Sequence, residues 1–282
     1  HETFEQADAA LGISLSTLCF EGPADQLMLT EYTQPALVAV SVAAARALTA
    51  RGVKPAILAG HSLGEYSAHV EAGTLAFADA LRTVRKRGRY MQDAVPVGRG
   101  AMAAVMGLDE PKVIQACAEA AAGEVVSPAN LNAPGQIVIA GDREAVERAG
   151  ERAKALGARR VVPLAVSAPF HCALMRPASE RLAAELRSLV VSDPVVPVVA
   201  NLDAEPKRDA ASSIEALVGQ VTAPVRWEQV VRRLASEGVD TYVEVGPGSV
   251  LGGLIRRIHR GARVLSVSDS EGVVATASML VG

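Results

Sequence analysis

Hydrophobic and polar positions follow two different periods along the chain. Residues 34–52 carry an apolar face of small residues, and residues 76–91 carry an apolar stripe beside a basic face. Both patterns predict helices with one buried side. Short apolar runs such as "PAILAG", at 55–60, instead predict strands buried on both faces. Because helical and strand-like segments alternate, the pattern predicts an α/β fold.

The middle of the chain has an order of elements of its own. After a Pro/Gly hinge, residues 101–165 read as strand, helix, strand, strand, helix and strand, with the hairpin turn "NAPG" between the middle strands. This is the ferredoxin-like order. The sequence therefore predicts a small ferredoxin-like subdomain at 97–166, inserted into a larger hydrolase-like subdomain with a parallel-sheet core that comprises 1–96 and 167–282.

The flanking segments fit the larger subdomain. The first helix, "ETFEQADAALG", is predicted to stop at Gly12, and a helix is predicted over 172–189. Two strands, "VPVVAN" and "VDTYVEVG", follow, and the second leads into a Gly-rich turn that opens a helix. A short helix is expected after Asp269.

Composition narrows the class of protein. The chain has 282 residues, of which 50% are apolar, and a net charge of −3, so one large or two modest domains can each bury a core. No apolar run approaches the ~18 residues of a membrane span, and the near-neutral charge argues against nucleic acid as a partner. The dispersed cysteines (Cys19, Cys117, Cys172) indicate free thiols in a reducing, cytoplasmic compartment, and no Cys/His spacing suggests a metal site.

The segment "AILAGHSLGEYSAHVEAG" contains the strongest chemical signal. Ser62 lies between Gly60 and Gly64, where a predicted strand becomes a helix. This G-x-S-x-G pattern is typical of a nucleophile elbow, and the helix N-terminus beside it favours a developing oxyanion. The alternative is a Gly-rich connection without chemistry, since the motif occurs by chance in roughly one chain in ten of this length.

A nucleophilic serine needs a base, and the chain offers five histidines. His1 is terminal, His61 lies inside the elbow, His69 suits a surface or packing role, and His259 lies among arginines. His171, in "VSAPFHCALM", remains as the candidate, although a packing role is also open to it. No nearby acid is visible to orient its ring, which argues against an ordinary α/β-hydrolase.

At these residues the chain resembles the malonyl-CoA:acyl-carrier-protein transacylases of bacterial fatty-acid synthesis, to which polyketide synthase acyltransferase domains are related. The resemblance covers essentially the whole chain. It rests on ordered segments: "TQPAL", "GHSLGEYSA", "RGRYMQ", "GAMAAVMGL", "NLNAPGQIVIAG", "VSAPFHCALM", "PVRW" and "EVGPGSVL". It implies transfer of a malonyl group from malonyl-CoA to the phosphopantetheine thiol of acyl carrier protein. Coenzyme A thioester is then a substrate, no cofactor or metal is needed, and we expect a monomer.

The resemblance also implies roles for particular residues. Ser62 would take the malonyl group, and His171 would act first as base and then as acid. The main-chain carbonyl of Gln220 would orient the imidazole, which explains the missing acid, and the Leu63 N–H would stabilise the oxyanion. Arg87 would pair with the malonyl carboxylate, although composition alone favours one more charge on a solvated face.

Five further residues are placed near the substrate cleft by the resemblance. Asn130 and Asn132 match polar residues of the cleft floor, with packing or turn roles as alternatives, and Gln34 either reaches the cleft or caps its helix. Met91 is expected to contact substrate, and Phe170 to narrow the pocket against an α-methyl branch.

Several expectations depart from the family or stay open. The family's opening strand, whose Gly-Gln-Gly turn supplies a second oxyanion donor, is expected to be absent from this chain, which starts at His1. Other possible functions are a polyketide-type acyltransferase for another extender unit, a serine thioester hydrolase and a non-catalytic carrier-binding module. Two basic clusters could attract an acidic carrier protein: Arg82, Arg85, Lys86 and Arg89, or Arg256, Arg257, Arg260 and Arg263.

Overall fold

The computed structural model describes residues 1–96 and 98–281, and its architecture is mixed α/β. The first part is mainly helical and contains one short strand that leads into the elbow. Its elements are α1 (Glu2–Leu11), α2 (Leu15–Glu21), α3 (Ala24–Leu27), α4 (Thr30–Thr49), β1 (Leu58–Ala59), α5 (Gly64–Glu71) and α6 (Phe77–Asp93).

Helices α1, α4, α5 and α6 follow the predicted pattern, although some begin or end at other residues, whereas α2 and α3 were not predicted. Helix α1 stops where predicted, because Gly12 takes the left-handed conformation (φ 63°) that ends many helices. Helix α4 begins at Thr30, before the predicted start at 34, and holds Pro35 inside. The prediction of a strand buried on both faces at 55–60 was wrong in extent: β1 has two half-buried residues and, among the strands that the structure describes, pairs with one other short strand.

The middle part contains its six predicted elements in the predicted order. Its four strands form an antiparallel sheet in the spatial order β3-β4-β2-β5, and one apolar cluster of this part consists of residues between 101 and 161. Val97, the first residue of the predicted small subdomain, lies outside the described residues. The elements are β2 (Gly100–Met106), α7 (Glu110–Ala120), β3 (Val126–Ala133), β4 (Gln136–Asp142), α8 (Arg143–Ala155) and β5 (Arg160–Pro163).

The last part returns to the elbow and completes two small sheets. β6 pairs in parallel with β1 and antiparallel with β7, while β8 pairs in parallel with β9. Neither β7 nor β9 was predicted from the sequence. The helix predicted over 172–189 opens as a 3₁₀ turn at Ala173–Met175. The elements are α9 (Arg176–Arg187), β6 (Val198–Val199), β7 (Pro206–Lys207), α10 (Ala210–Gln220), α11 (Trp227–Ser236), β8 (Thr241–Val245), α12 (Val250–Ile258), β9 (Arg263–Val267) and α13 (Ser270–Val281).

The largest core cluster packs α4, α6 and α9 together around the site. Helices α4 and α6 approach closely at Gly88, where a Cβ atom would lie 2.6 Å from the Thr30 carbonyl oxygen. Only glycine fits there, and the close approach brings Arg87 of α6 to Gln34 of α4. None of the helices in the described ranges combines the length and apolarity needed to span a membrane.

Candidate active site

Ser62 occupies a strained turn between β1 and α5. Its φ of 51° is left-handed, a conformation that costs a non-glycine residue about 1–3 kcal/mol. A Cβ atom on Gly60 would lie 2.0 Å from the carbonyl carbon of Gly64, so glycine is required at position 60. A Cβ on Gly64 itself would meet open space. The elbow therefore depends sterically on the first glycine of the motif.

The serine hydroxyl meets the predicted histidine. Ser62 Oγ donates to His171 Nε2 at 2.7 Å, and His171 Nδ1–H donates to the main-chain oxygen of Gln220 at 2.9 Å. The carbonyl acceptor fixes the tautomer that leaves Nε2 free to accept a proton. Burial, aided by the positive charge of Arg87, lowers the pKa of His171 to about 3. The imidazole is therefore neutral at pH 7, as a base must be.

Arg87 is buried beside the same hydroxyl rather than on a solvated face. Its Nη2 donates to Ser62 Oγ at 3.1 Å and to Gln220 Oε1 at 3.1 Å, and its Nη1 donates to Gln34 Oε1 at 2.7 Å. Burial lowers the pKa of Arg87 from its ordinary value. Within the described ranges, the buried Nε atom has no hydrogen-bond partner. The guanidinium is thus a desolvated cation whose hydrogen bonds within the described residues all go to uncharged oxygens.

Three further predicted residues lie in the elbow itself or on strand β3. Leu63 is the N-cap of α5, and its N–H makes no hydrogen bond to another residue that the structure describes. Asn132 Oδ1 accepts from His61 Nε2 at 2.9 Å, which ties the elbow to β3. Asn130 is buried in β3, where its backbone bridges to Val225.

The last two predicted residues lie next to members of the site. Met91 follows Arg87 by one turn of α6 and is 1% exposed within the main core. Phe170 precedes His171 and is half-buried, packed against two apolar clusters. Both positions are compatible with packing, and their contacts to substrate stay a prediction.

Two residues that the sequence reading missed complete the constellation. Asn201 Oδ1 accepts from the Ser62 N–H at 2.6 Å, and Glu65 Oε2 accepts from the Asn201 N–H at 2.9 Å and from Gln220 Nε2 at 2.7 Å. Burial raises the pKa of Glu65 to about 7, against the opposing hydrogen bonds. Asn201 ends the predicted strand "VPVVAN", and the carboxyl ends of parallel strands share one edge, so this residue could have been found. The sequence carried no signal for the burial of Glu65.

The other candidates separate clearly from this site. Within residues 1–96 and 98–281, no group of three His, Cys, Asp or Glu side chains could hold a metal ion. His69 is buried, and neither of its ring nitrogens has a hydrogen-bond partner among the described residues, so of its two predicted roles packing is the one observed. Burial lowers the pKa of His69 to about 4.

An activated serine, a neutral imidazole held by a carbonyl and a buried guanidinium on an α/β fold define the class of serine-dependent acyl-transfer proteins. The family described as acyl transferase domain matches residues 2–274, and the chain belongs to that family.

Relatives of known function give the comparison more detail. A malonyl CoA-acyl carrier protein transacylase of Salmonella typhimurium is 54% identical over 258 residues, which are 91% of this chain and 84% of that protein. The transacylase of Bacillus subtilis is 47% identical over 269 residues, with 95% and 85% coverage.

Solved structures agree with the same family. The malonyl CoA-acyl carrier protein transacylase of Coxiella burnetii superposes with a TM-score of 0.97 at 44% identity, covering 100% of this chain and 89% of its own. A malonyl-transacylase solved in complex with its type II PKS acyl-carrier protein superposes with a TM-score of 0.96 at 46% identity, with 99% and 90% coverage.

Proposed function

We propose that this chain transfers the malonyl group of malonyl-CoA to the phosphopantetheine thiol of acyl carrier protein, through a malonyl ester of Ser62, and so supplies fatty-acid chain elongation. Family membership and the transacylase relatives support the reaction class. The observation that carries the malonyl specificity is the buried Arg87 guanidinium, 3.1 Å from the Ser62 hydroxyl.

In the first half-reaction, the Ser62 hydroxyl attacks the thioester carbon while His171 Nε2 takes its proton. The C–S bond then breaks, and the proton passes from His171 to the leaving coenzyme A sulfur. The 2.7 Å contact and the carbonyl-fixed tautomer give the imidazole both roles. The Leu63 N–H, at the start of α5, is a donor for the oxyanion that forms between these events.

The second half-reaction reverses the proton movements. The carrier thiol gives its proton to His171 and attacks the ester carbon, and Ser62 leaves with that proton. Water must be excluded while the ester exists, because the same base would activate it. Every proton and bond is accounted for by the chain and its two thiol substrates, so the reaction as written requires no metal or cofactor.

Arg87 favours substrates with a free carboxylate. A guanidinium grips a carboxylate with parallel hydrogen bonds, and an acetyl group would leave this buried cation without a charged partner. Gln34 holds the guanidinium in place from α4. Asn132 would act through His61, while contacts of substrate with Asn130, Met91 and Phe170 are part of the proposal that the family resemblance supports.

The architecture belongs to the same proposal. The spatial strand order β3-β4-β2-β5, with one apolar cluster of its own, supports a ferredoxin-like small subdomain at 97–166. The parallel pairs β1–β6 and β8–β9 support a hydrolase-like larger subdomain comprising 1–96 and 167–282. A monomeric state and a cytoplasmic location stay predictions.

The experiment that tests this function follows the acyl group. Purified protein is incubated with labelled malonyl-CoA, with and without acyl carrier protein, and the label is measured on the carrier and as free malonate. We expect malonyl carrier to form and malonate release to be slow. Malonate release at the same rate with and without carrier would make the protein a thioester hydrolase. Preference for another extender unit would favour the polyketide-type alternative.

A further inference from the structure

Glu65 is a buried carboxylate directly behind the nucleophile. It lies three residues after Ser62, in the first turn of α5, and is 0% exposed. One oxygen, Oε2, accepts both from the Asn201 N–H at 2.9 Å and from Gln220 Nε2 at 2.7 Å. The mechanism above assigns this residue nothing, although burying a carboxyl group is costly unless its contacts compensate.

Asn201 and Gln220, the two residues that donate hydrogen bonds to Glu65, also form hydrogen bonds with the main chain of the elbow. Asn201 accepts from the Ser62 N–H and donates through Nδ2 to the Gly60 oxygen at 2.7 Å. Gln220 Nε2 donates to the Ser62 oxygen at 3.0 Å. Both polar main-chain groups of the strained serine are therefore fixed by residues that Glu65 anchors.

The same carboxylate sets the orientation of the Gln220 amide. Because Oε2 of Glu65 accepts from Gln220 Nε2, the NH₂ group of Gln220 faces Glu65 and its Oε1 atom faces away. That orientation places Gln220 Oε1 as the acceptor for Arg87 Nη2, at 3.1 Å. The main-chain oxygen of Gln220 meanwhile receives the His171 Nδ1–H.

We propose that Glu65 is a positioning residue, whose Oε2 atom locks the Ser62 elbow, the His171 base and Arg87 into one arrangement through Asn201 and Gln220. The inference rests on the proposed roles of Ser62 and His171. It attributes the effect of Glu65 to the position of one acceptor oxygen and not to its negative charge.

Two substitutions separate these causes. Glu65→Gln keeps the length of the side chain and an oxygen that accepts the same two hydrogen bonds, but removes the charge. Glu65→Asp keeps the charge but shortens the side chain by one methylene, which moves its oxygens away from Asn201 and Gln220. Glu71→Gln is the matched control, because Glu71 lies on the same helix and, within the described residues, its side chain accepts one hydrogen bond, from Thr49 Oγ1 at 3.1 Å.

The readout is the rate at which a neutral sulfonyl fluoride labels Ser62, measured with kcat for malonyl transfer at a temperature where every variant is folded. A misplacement of about 1 Å can cost about 100-fold in rate. We expect Glu65→Asp to lose about 10- to 100-fold in both quantities, Glu65→Gln to stay within about threefold of wild type, and Glu71→Gln to match wild type.

The proposal is overturned if Glu65→Asp labels as fast as wild type, or if it equals or exceeds Glu65→Gln. A purely structural carboxylate would lower the melting temperature without changing the labelling rate per folded molecule, which also overturns it. Labelling does not require malonyl-CoA or carrier protein. A wild-type protein that labels at Ser62 but fails to transfer malonyl groups would therefore contradict the proposed function and leave this series interpretable.

Discussion

The two ends of helix α5 each bury an ionisable side chain, and they treat it in opposite ways. At the N-terminal end, Glu65 accepts two hydrogen bonds and belongs to a network that reaches Ser62, Gln220 and Arg87. At the other end, His69 is equally buried, but both of its ring nitrogens lack a partner in the described part of the chain.

The difference teaches that burial and a shifted pKa do not identify a functional group by themselves. Two buried histidines have lowered pKa values, about 3 for His171 and about 4 for His69. Only His171 has a carbonyl that fixes its tautomer and a hydroxyl within 2.7 Å. Partners and geometry, rather than desolvation, mark the candidate site.

The largest effect on activity should come from substitution of His171, the buried histidine that has hydrogen-bond partners, or of Ser62. His171→Ala and Ser62→Ala should each reduce malonyl transfer by about 10³-fold or more, since serine and base act as one unit. His69→Leu should retain turnover within a fewfold. Steady-state rates with malonyl-CoA and carrier protein check this, with circular dichroism as the folding control. A folded Ser62→Ala protein with normal transfer would remove the basis of the comparison.

The second largest effect on activity is expected from substitution of Arg87, the buried cation of this network. Arg87→Ala should lower kcat/KM for malonyl-CoA by about 100-fold and raise the relative use of acetyl-CoA, because the carboxylate loses its partner. Arg87→Lys should rescue poorly, since an ammonium cannot form two parallel hydrogen bonds. The ratio of the two acyl-CoA rates is the measurement, and an unchanged ratio in Arg87→Ala would mean that the carboxylate is recognised elsewhere.

Substitution of His69, whose ring nitrogens have no partner among the described residues, should change stability rather than turnover. The pKa of His69 is lowered from 6.5 to about 4, so the unfolded chain binds a proton between these pH values that the native chain does not. Stability is therefore lost as pH falls through this window. His69→Leu should recover about 2 kcal/mol of the free energy of unfolding at pH 4.5, relative to the difference at pH 7. Urea denaturation at both pH values checks it; parallel losses in both proteins would contradict the prediction.

The smallest effect is expected at the surface. Three members of the first basic cluster are ion-paired, Arg82 with Asp79, Arg85 with Glu31 and Lys86 with Glu185. The second cluster (Arg256, Arg257, Arg260, Arg263) has no ion pair to another described residue, which favours it for attracting an acidic carrier. Arg260→Glu should raise the KM for carrier protein severalfold at low salt, with Arg82→Glu as the control of equal charge change.

Comparison of the two half-reactions is the control for damage to the fold in these surface variants. Charge steering acts on the encounter with the carrier, so the first half-reaction with malonyl-CoA should stay nearly unchanged. Equal losses in both half-reactions would indicate damage to the cleft, and an equal effect of Arg82→Glu would place docking elsewhere.

The sequence predicted most elements of the fold because its apolar periods are regular. It placed α1, α6 and the six elements of the middle part within a few residues of their observed bounds. It missed β9 because "RVLSV" is a short run without strand boundaries of its own, and it overextended β1 because an apolar run does not reveal how many neighbours a strand will have.

Within the site, motif residues were predictable and network residues were not. Ser62, His171 and Arg87 stand in recognisable segments, and the structure brings the three side chains together. Glu65 is also part of "GHSLGEYSA", but a charged residue in the first turn of a helix is ordinarily exposed. Its burial depends on Asn201 and Gln220, more than 130 residues away in the chain, so only the folded structure could reveal it.

The most direct test of the central claim is the mass of the protein after brief mixing with malonyl-CoA, followed by acid quench and peptide mapping. The account predicts one malonyl group per chain, located on the peptide that contains Ser62 and absent from Ser62→Ala, and its loss when holo carrier protein is added before the quench. A malonyl group on another residue, or carrier malonylated by Ser62→Ala at the wild-type rate, would contradict it.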